Sequence, residues 1–381
     1  MFIWDGCWCA PTQQLCWVCM HQVFSDIWKA YPENMLADRT WHWWWWIHFF
    51  ENPDRLEFPR QLMVLWVTRN CKKLCVNDSY HWQPKTLMEI NENHAAFDSI
   101  VASWYYDGNK MHDPFILDHG RTETCWEDRV GRISMESDKG TYSFAGSPGD
   151  FQLNMRNENV GIELSNQPWK DTLSELLPTG KKFIGNIGYS MLKYRALLSS
   201  GKIRIGETET PLKGRCYFQK VQMAITPCWY WAIVQWDNGA YLQYFLPHLG
   251  IPMLRRSISH DSLMDWGEMM VSKSLRFYDP EEKKEYLMKH VRITKRYEKD
   301  LPIFRVNAFS NEGELTIEIA AYARCCWKLS QPLIGPLWHG IFYNEYPARV
   351  TNFEFKSGTR TIKNDDFGKS YCNCEHTWGS V

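Results

Sequence analysis

At 381 residues the chain is long enough for two domains or one large β domain, and its 43 basic residues stand against 44 acidic ones. That balance supplies no cationic stripe for phosphates, which argues against a nucleic-acid partner, and no apolar run approaches the ~20 residues of a membrane-spanning helix. Aromatic residues make up 15% and tryptophan alone contributes 21, an excess that suits sheets and apolar pockets.

The N-terminal stretch carries no basic leader and is interrupted by Asp5 and Gln13, so no secretory signal is expected there. With 13 cysteines, an odd number, the expected setting is a cytoplasm with reduced thiols. Leu15, Cys19, Val23 and Ile27 fall on one helical stripe, which predicts a short amphipathic helix ending at Pro32. Cys7, Cys9, Cys16 and Cys19 could together ligate a tetrahedral zinc. Their spacing matches no metal knuckle, however, and buried cysteine on a docking helix is the simpler reading, so no metal site is assigned.

From residue 41 onward the pattern is strand after strand. In Trp41–Phe50 the odd positions are Trp41, Trp43, Trp45, Ile47 and Phe49, and the even ones are His42, Trp44, Trp46, His48 and Phe50. One face is wholly apolar, and the other is aromatic with a histidine near each end. This is a strand covered on both sides, one side on a core and the other on a cavity or second layer. His42 and His48 lie ~20 Å apart at ~3.3 Å per residue, too far to share an ion. A second apolar run, Gln61–Thr68, completes a broad hairpin.

Further hairpins are expected around Asp107–Gly108, around Asn157–Asn159 and at Asp237–Asn238–Gly239, the last an Asn-Gly turn between Trp229–Trp236 and Tyr241–Phe245. Short helices are expected at Trp169–Pro178 and Met191–Leu198. Alternation continues through Leu315–Ile319 and Phe353–Phe355, and the chain closes with Tyr371–Trp378. Turns every 8–12 residues mark barrels or sandwiches. The composition break at Gly206–Pro211 sets the expected organisation: an N-terminal cysteine-rich segment 1–34, a first β domain 35–208 and a second 209–381. Two barrels packed side by side, all-β with few short helices, is the simplest account.

Three stretches carry a resemblance: the opening Trp43–Trp46; Tyr346–Pro347 leading into Arg349–Phe355; and Gly368–Gly379, with Glu375-His-Thr-Trp-Gly379 on the last strand. Through them the chain, from about residue 35, resembles the two-domain lipocalin-like proteins that include carotenoid 1,2-hydratases and, more distantly, tocopherol cyclases and Diels–Alderase relatives. The acidic residue that this resemblance implies just ahead of the opening tryptophans is absent, Thr40 and His42 standing there. The cysteine-rich head has no counterpart in the family.

The resemblance implies acid-catalysed addition of water to an isolated alkene, or a related cyclisation, with no metal or organic cofactor. That chemistry needs a carboxylic acid kept protonated by an apolar setting, aromatic faces around a developing carbocation and access for one water. Candidate acids are Asp113, Asp118 and Glu375. Turn formation is the alternative role for the two aspartates, and a buried structural carboxylate is the alternative for Glu375. Candidate aromatic faces for substrate are Trp44, Trp46, Tyr105, Trp229, Trp231 and Tyr244, each equally open to a plain packing role. No phosphate loop and no nucleophile elbow is present. The expected partner is an apolar small molecule, an isoprenoid or lipid, which would also permit peripheral contact with a membrane. Two rival readings remain: a non-catalytic lipid or isoprenoid binder, and a carbohydrate-binding β-sandwich with exposed tryptophans.

Overall fold

The computed structural model describes residues 25–29 and 40–379, except for 70, 72, 86–87, 129, 148, 170–175, 185–186, 224–226, 255–267 and 333–337. The four cysteines Cys7, Cys9, Cys16 and Cys19, and most of the helix expected around them, lie outside the described residues. Among those described, the elements are twenty-six strands and two single-turn 3-10 helices, and no helix is long and apolar enough to cross a membrane.

The strands run in chain order as β1 Trp41–Phe50, β2 Arg60–Arg69, β3 Leu74–Val76, β4 Tyr80–Trp82, β5 Glu89–Asn91, β6 His94–Tyr106, β7 Met111–Glu127 and β8 Val130–Glu136. They continue as β9 Gly140–Ser147, β10 Asp150–Asn157, β11 Val160–Pro168, β12 Leu176–Ile184, β13 Ile187–Ile205, β14 Thr208–Met223, β15 Cys228–Trp236, β16 Tyr241–Gly250 and β17 Glu268–Met270. The remainder are β18 Ser274–Asp279, β19 Lys284–Met288, β20 His290–Glu298, β21 Leu301–Ser310, β22 Gly313–Ala321, β23 Cys325–Pro332, β24 Trp338–Ser357, β25 Arg360–Lys363 and β26 Ser370–Gly379.

The first sheet follows the path β11-β10-β9-β8-β7-β6-β2-β1-β14-β13, and β13 pairs back onto β11. Ten antiparallel strands therefore close into a ring, which leaves no free edge among them. Neighbours in this ring are mostly neighbours in sequence, so the barrel is of the up-and-down kind. The second sheet follows β19-β18-β16-β15-β26-β24-β22-β21-β20 and is antiparallel throughout. The fold is thus all-β, a closed barrel packed against a second antiparallel sheet.

Three expectations change. The segment Met191–Leu198 is not helical: it lies within β13, paired to β14 on one side and to β12 on the other. Leu176 onward, expected to end a helix, is likewise strand, and residues 170–175 before it are not described. The turn at Gly206–Glu207 joins β13 to β14 inside the first sheet, so the sheets change over between Met223 and Cys228. The crossing is not clean either, since β3 and β4 from the first half join the second sheet by pairing β3 with β23.

Strand alternation distributes the aromatic residues into three layers. Trp44, Trp46 and Phe50 of β1 point into the barrel, with Trp66, Phe97, Phe144, Phe151 and Phe218. The segment 25–29 adds to that packing: Trp28 packs on Phe144, and the Trp44 indole donates to the Ile27 carbonyl at 2.7 Å. Tyr230, Trp236, Phe277, Phe353 and Phe355 form the core of the second sheet. Trp41, Trp45, Ile47 and Phe49, the odd face of β1, form a third layer between the sheets with Trp104, Tyr217, Trp231 and Trp327.

The β1–β14 pairing needs a glycine at one point. A Cβ on Gly214 would lie 1.9 Å from the Phe49 carbonyl oxygen, a backbone atom that cannot swing away, whereas one on Gly149 would meet nothing within 4 Å. Gly214→Ala is therefore expected to destabilise the protein by ~1–3 kcal/mol through forced backbone displacement. Gly149→Ala is expected to leave the urea midpoint within experimental scatter, and the two variants compared side by side check the point.

Candidate active site

Between the two sheets lies a cavity of about 1050 Å³, its open mouth included. The barrel contributes Trp41, Trp43, Trp45, Leu65, Val67 and Ile100 to its wall, and the second sheet contributes Trp229, Trp231, Phe245, Trp327, Tyr343 and Glu375. Among the described residues Glu375 is the one ionisable carboxylate in a lining otherwise almost wholly apolar; Gln219 and the Tyr343 hydroxyl are the other polar side chains. A large apolar hollow with few convergent polar groups is the usual form of a small-molecule site.

Glu375 stands directly opposite Glu345 in the β24–β26 register. Both are buried, with relative exposures of 5% and 1%. Glu345 accepts hydrogen bonds from the indole N–H of Trp45 at 3.3 Å and of Trp104 at 2.9 Å, both from the barrel. Glu375 accepts from the Trp229 indole at 2.6 Å. The Tyr343 hydroxyl lies between the two acids, 2.8 Å from Glu375 Oε1 and in close contact with Glu345 Oε1.

Hydrogen counting bears on the protonation of this group. A phenol has one proton to donate, so Tyr343 can satisfy only one carboxylate. The other contact is a hydrogen bond only if that carboxyl carries a proton and donates it to the phenol oxygen. A single shared proton lets both contacts be hydrogen bonds at once, and either end can carry it. Electrostatics agrees. Burial pushes Glu375 up to about 7, although its indole and phenol donors pull the other way. Burial, and then the nearby Glu375 charge, hold Glu345 well above the usual carboxylate range. Two carboxylates in one apolar site cannot both ionise cheaply.

The residues singled out from sequence divide as follows. Glu375, Trp229 and Trp231 meet at the cavity, with the indole of Trp229 on the Glu375 carboxyl. Trp44, Trp46 and Tyr105 lie inside the barrel, on the face of the wall opposite the cavity, and Tyr244 lies in the core of the second sheet. Asp118 faces the barrel side too, where its carboxylate accepts from Ser137 at 2.5 Å, Tyr142 at 2.9 Å and the His119 amide at 2.8 Å. Its neighbour Leu117 is the one that lines the cavity. Asp113 sits on an exposed stretch of β7 with its carboxyl turned toward Trp327, whose indole donates at 2.5 Å, and toward the Cys325 thiol at 3.1 Å. Burial of that carboxyl raises its pKa.

Sequence reasoning missed Glu345, Tyr343, Trp43 and Trp45. The odd tryptophans were visible as a face but not as the cavity face. Tyr343 and Glu345 share a side of β24 by simple alternation, and that is the one signal from which the pair could have been drawn.

No protein-family model and no curated protein matches the sequence. Among solved structures, the chain is similar to a candidate AttH protein of Nitrosomonas europaea, with 12% identity, a TM-score of 0.48 and coverage of 93% of this chain and 97% of the other. It is also similar to kievitone hydratase of Nectria haematococca, with 9% identity, a TM-score of 0.43 and coverage of 90% of each chain.

The raised pKa of Glu375 has a measurable consequence. Between pH ~4.5 and ~7 the folded chain keeps a proton that the unfolded chain releases, so stability falls as pH rises through that window. Glu375→Gln keeps a neutral group in place and is expected to flatten the fall. Urea midpoints of both proteins at pH 5 and pH 8 check this: the gap between the two pH values should shrink in the variant.

Proposed function

We propose that the chain is a hydratase, or a related cyclase, that protonates an alkene of an apolar, isoprenoid-type substrate in the cavity between the sheets. The observation that carries this reading is the buried Glu345–Tyr343–Glu375 group, its carboxyls pushed upward by burial, opening into an otherwise apolar, tryptophan-lined hollow.

The chemistry follows from that placement. Glu375 is the member of the pair that faces the cavity, so it is the proton donor. Its proton goes to one alkene carbon as the π pair forms the new C–H bond, and the positive charge appears on the other carbon. The faces of Trp43, Trp45, Trp229 and Trp231 surround that carbon and stabilise the cation by its attraction to aromatic quadrupoles, an effect strongest where water is scarce. Water adds to the cation and returns a proton to Glu375; in a cyclisation a second alkene or hydroxyl of the substrate adds instead. Glu345 and Tyr343 hold the Glu375 carboxyl in position and share its proton, which keeps the acid available near neutral pH. No step calls on a metal or an organic cofactor.

The principal rival is a binder of the same class of molecule without catalysis. It is favoured by the fact that both Glu375 oxygens already have protein donors, Trp229 and Tyr343. A sugar-stacking surface is less well supported, because the tryptophans around the site face into the hollow between two sheets.

The test is an assay with a series of terpenoid and carotenoid alkenes in deuterated water, read by mass spectrometry for addition of water or carbon-bound deuterium. The wild-type chain should turn over at least one of them. Glu375→Gln should reduce the rate by ~10²–10⁴-fold, the usual contribution of a positioned acid, while quenching of tryptophan fluorescence by the substrate stays comparable. Equal turnover by wild type and variant would remove Glu375 from the mechanism. Tight binding with no turnover by the wild type would favour the binder.

A further inference from the structure

On the other side of the last strand lies a second cluster. Glu375 and His376 are consecutive on β26, so they point to opposite faces of the sheet. While Glu375 turns to the cavity, His376 turns into the core of the second sheet, toward His248 of β16 and Glu268 of β17. One ligand-type atom from each of His248, Glu268 and His376 lies within 4.8 Å of the others. We propose that these three side chains form a binding site for one divalent d-block cation of the Zn²⁺ type.

Four observations support the site. First, His248 is fully buried and neither of its ring nitrogens has a hydrogen-bond partner among the described residues. An imidazole nitrogen stripped of water and left unbonded is costly, and a coordinate bond would remove that cost. Second, the His248 and His376 rings adjoin, with their centroids 6.4 Å apart.

Third, the three groups share one organiser. The Tyr230 ring stacks on His376 with centroids 4.3 Å apart and on His248 at 5.1 Å, and its hydroxyl donates to Glu268 Oε1 at 2.5 Å. A single side chain thus fixes the orientation of all three candidate ligands, as outer residues do around metal sites. Fourth, two imidazoles and one carboxylate are a donor set of intermediate softness, suited to Zn²⁺ and its neighbours rather than to Ca²⁺ or Mg²⁺.

Closure is modest. Tetrahedral coordination at ~2.0–2.1 Å brings donors to ~3.3 Å from one another, so the three need to draw in by about 1.5 Å at most from their present limit. Three protein ligands among the described residues leave a position for water. Two neighbours bear on the site. Cys228 is the register partner of His248, but its thiol donates to the Gly379 carbonyl, so it is not counted as a ligand. Lys295 lies 3.2 Å from the Tyr230 hydroxyl and opposes a cation; the Glu268 carboxylate offsets it.

The experiment uses the full chain, stripped with a chelator and titrated with Zn²⁺ alone. We expect one Zn²⁺ per chain by calorimetry, confirmed by elemental analysis after desalting. His248→Ala and His376→Ala should each weaken binding by at least ~100-fold, beyond what loss of an outer contact costs, with unchanged far-ultraviolet circular dichroism. Should these variants fail to fold, X-ray absorption at the zinc edge of the loaded wild type decides instead, because two coordinated imidazoles leave a characteristic multiple-scattering pattern. The proposal is overturned by any of three results: no saturable binding to the wild type, binding that survives both substitutions, or a zinc spectrum without imidazole.

Discussion

The buried acids Glu345 and Glu375 make heavy demands on their surroundings. An ionised carboxylate in an apolar seam is very expensive, and even a neutral one needs its hydrogen bonds made. The donors come from both sheets: Trp45 and Trp104 from the barrel, Trp229 and Tyr343 from the second sheet. Glu345 is therefore satisfied only when the sheets are docked in one alignment. Tryptophan is well suited to this, since it covers a large apolar area and still offers one N–H to a buried acceptor. The abundance of tryptophan and the placement of the acids are two aspects of one arrangement.

The same seam is pinned elsewhere by polar contacts of equal specificity. Lys193 of the barrel donates to Gln243 of the second sheet at 2.6 Å, and Gln243 also bonds Tyr217 and Tyr241. Burial pulls the Lys193 ammonium well below its ordinary range. On another side Gln61 bonds the Tyr322 hydroxyl, the Cys372 carbonyl and Asn373. Apolar packing alone would tolerate small slips between two sheets; these directional bonds do not. The cavity is the part of the seam where the sheets do not touch.

Much of the strand pattern was legible from residue order. β1 and β2 pair as the apolar runs 41–50 and 61–68 indicate, β10 and β11 pair around Asn157–Asn159, and β15 and β16 pair across Asn238–Gly239. Each has clear alternation or a strong turn signal. The failure at Met191–Leu198 is equally instructive. Leu192 and Tyr194 are buried while Lys193 and Arg195 are buried polar residues of the seam, so both faces of the strand are covered and alternation is blurred. Lysine, arginine, alanine and leucine in that order also suit a helix on propensity. Tertiary pairing on both flanks prevailed over local preference.

The candidate site was legible only in part, for a related reason. Period two sorts Trp41–Phe50 into two faces, and both are aromatic, so nothing local says which one borders a hollow. Trp44 and Trp46 went into the barrel, and Trp41, Trp43 and Trp45 to the cavity. Glu345 precedes Tyr346–Pro347 and reads locally as a polar residue near a break. It becomes half of an acid pair only through the β24–β26 register, which joins residues thirty positions apart. The sequence by itself determined the strands, their two faces and the aromatic character of the wall, because these depend on neighbours along the chain. Tertiary structure alone decided which faces oppose each other and which carboxyls share a proton, because those depend on sheet closure and register, and no local pattern encodes either.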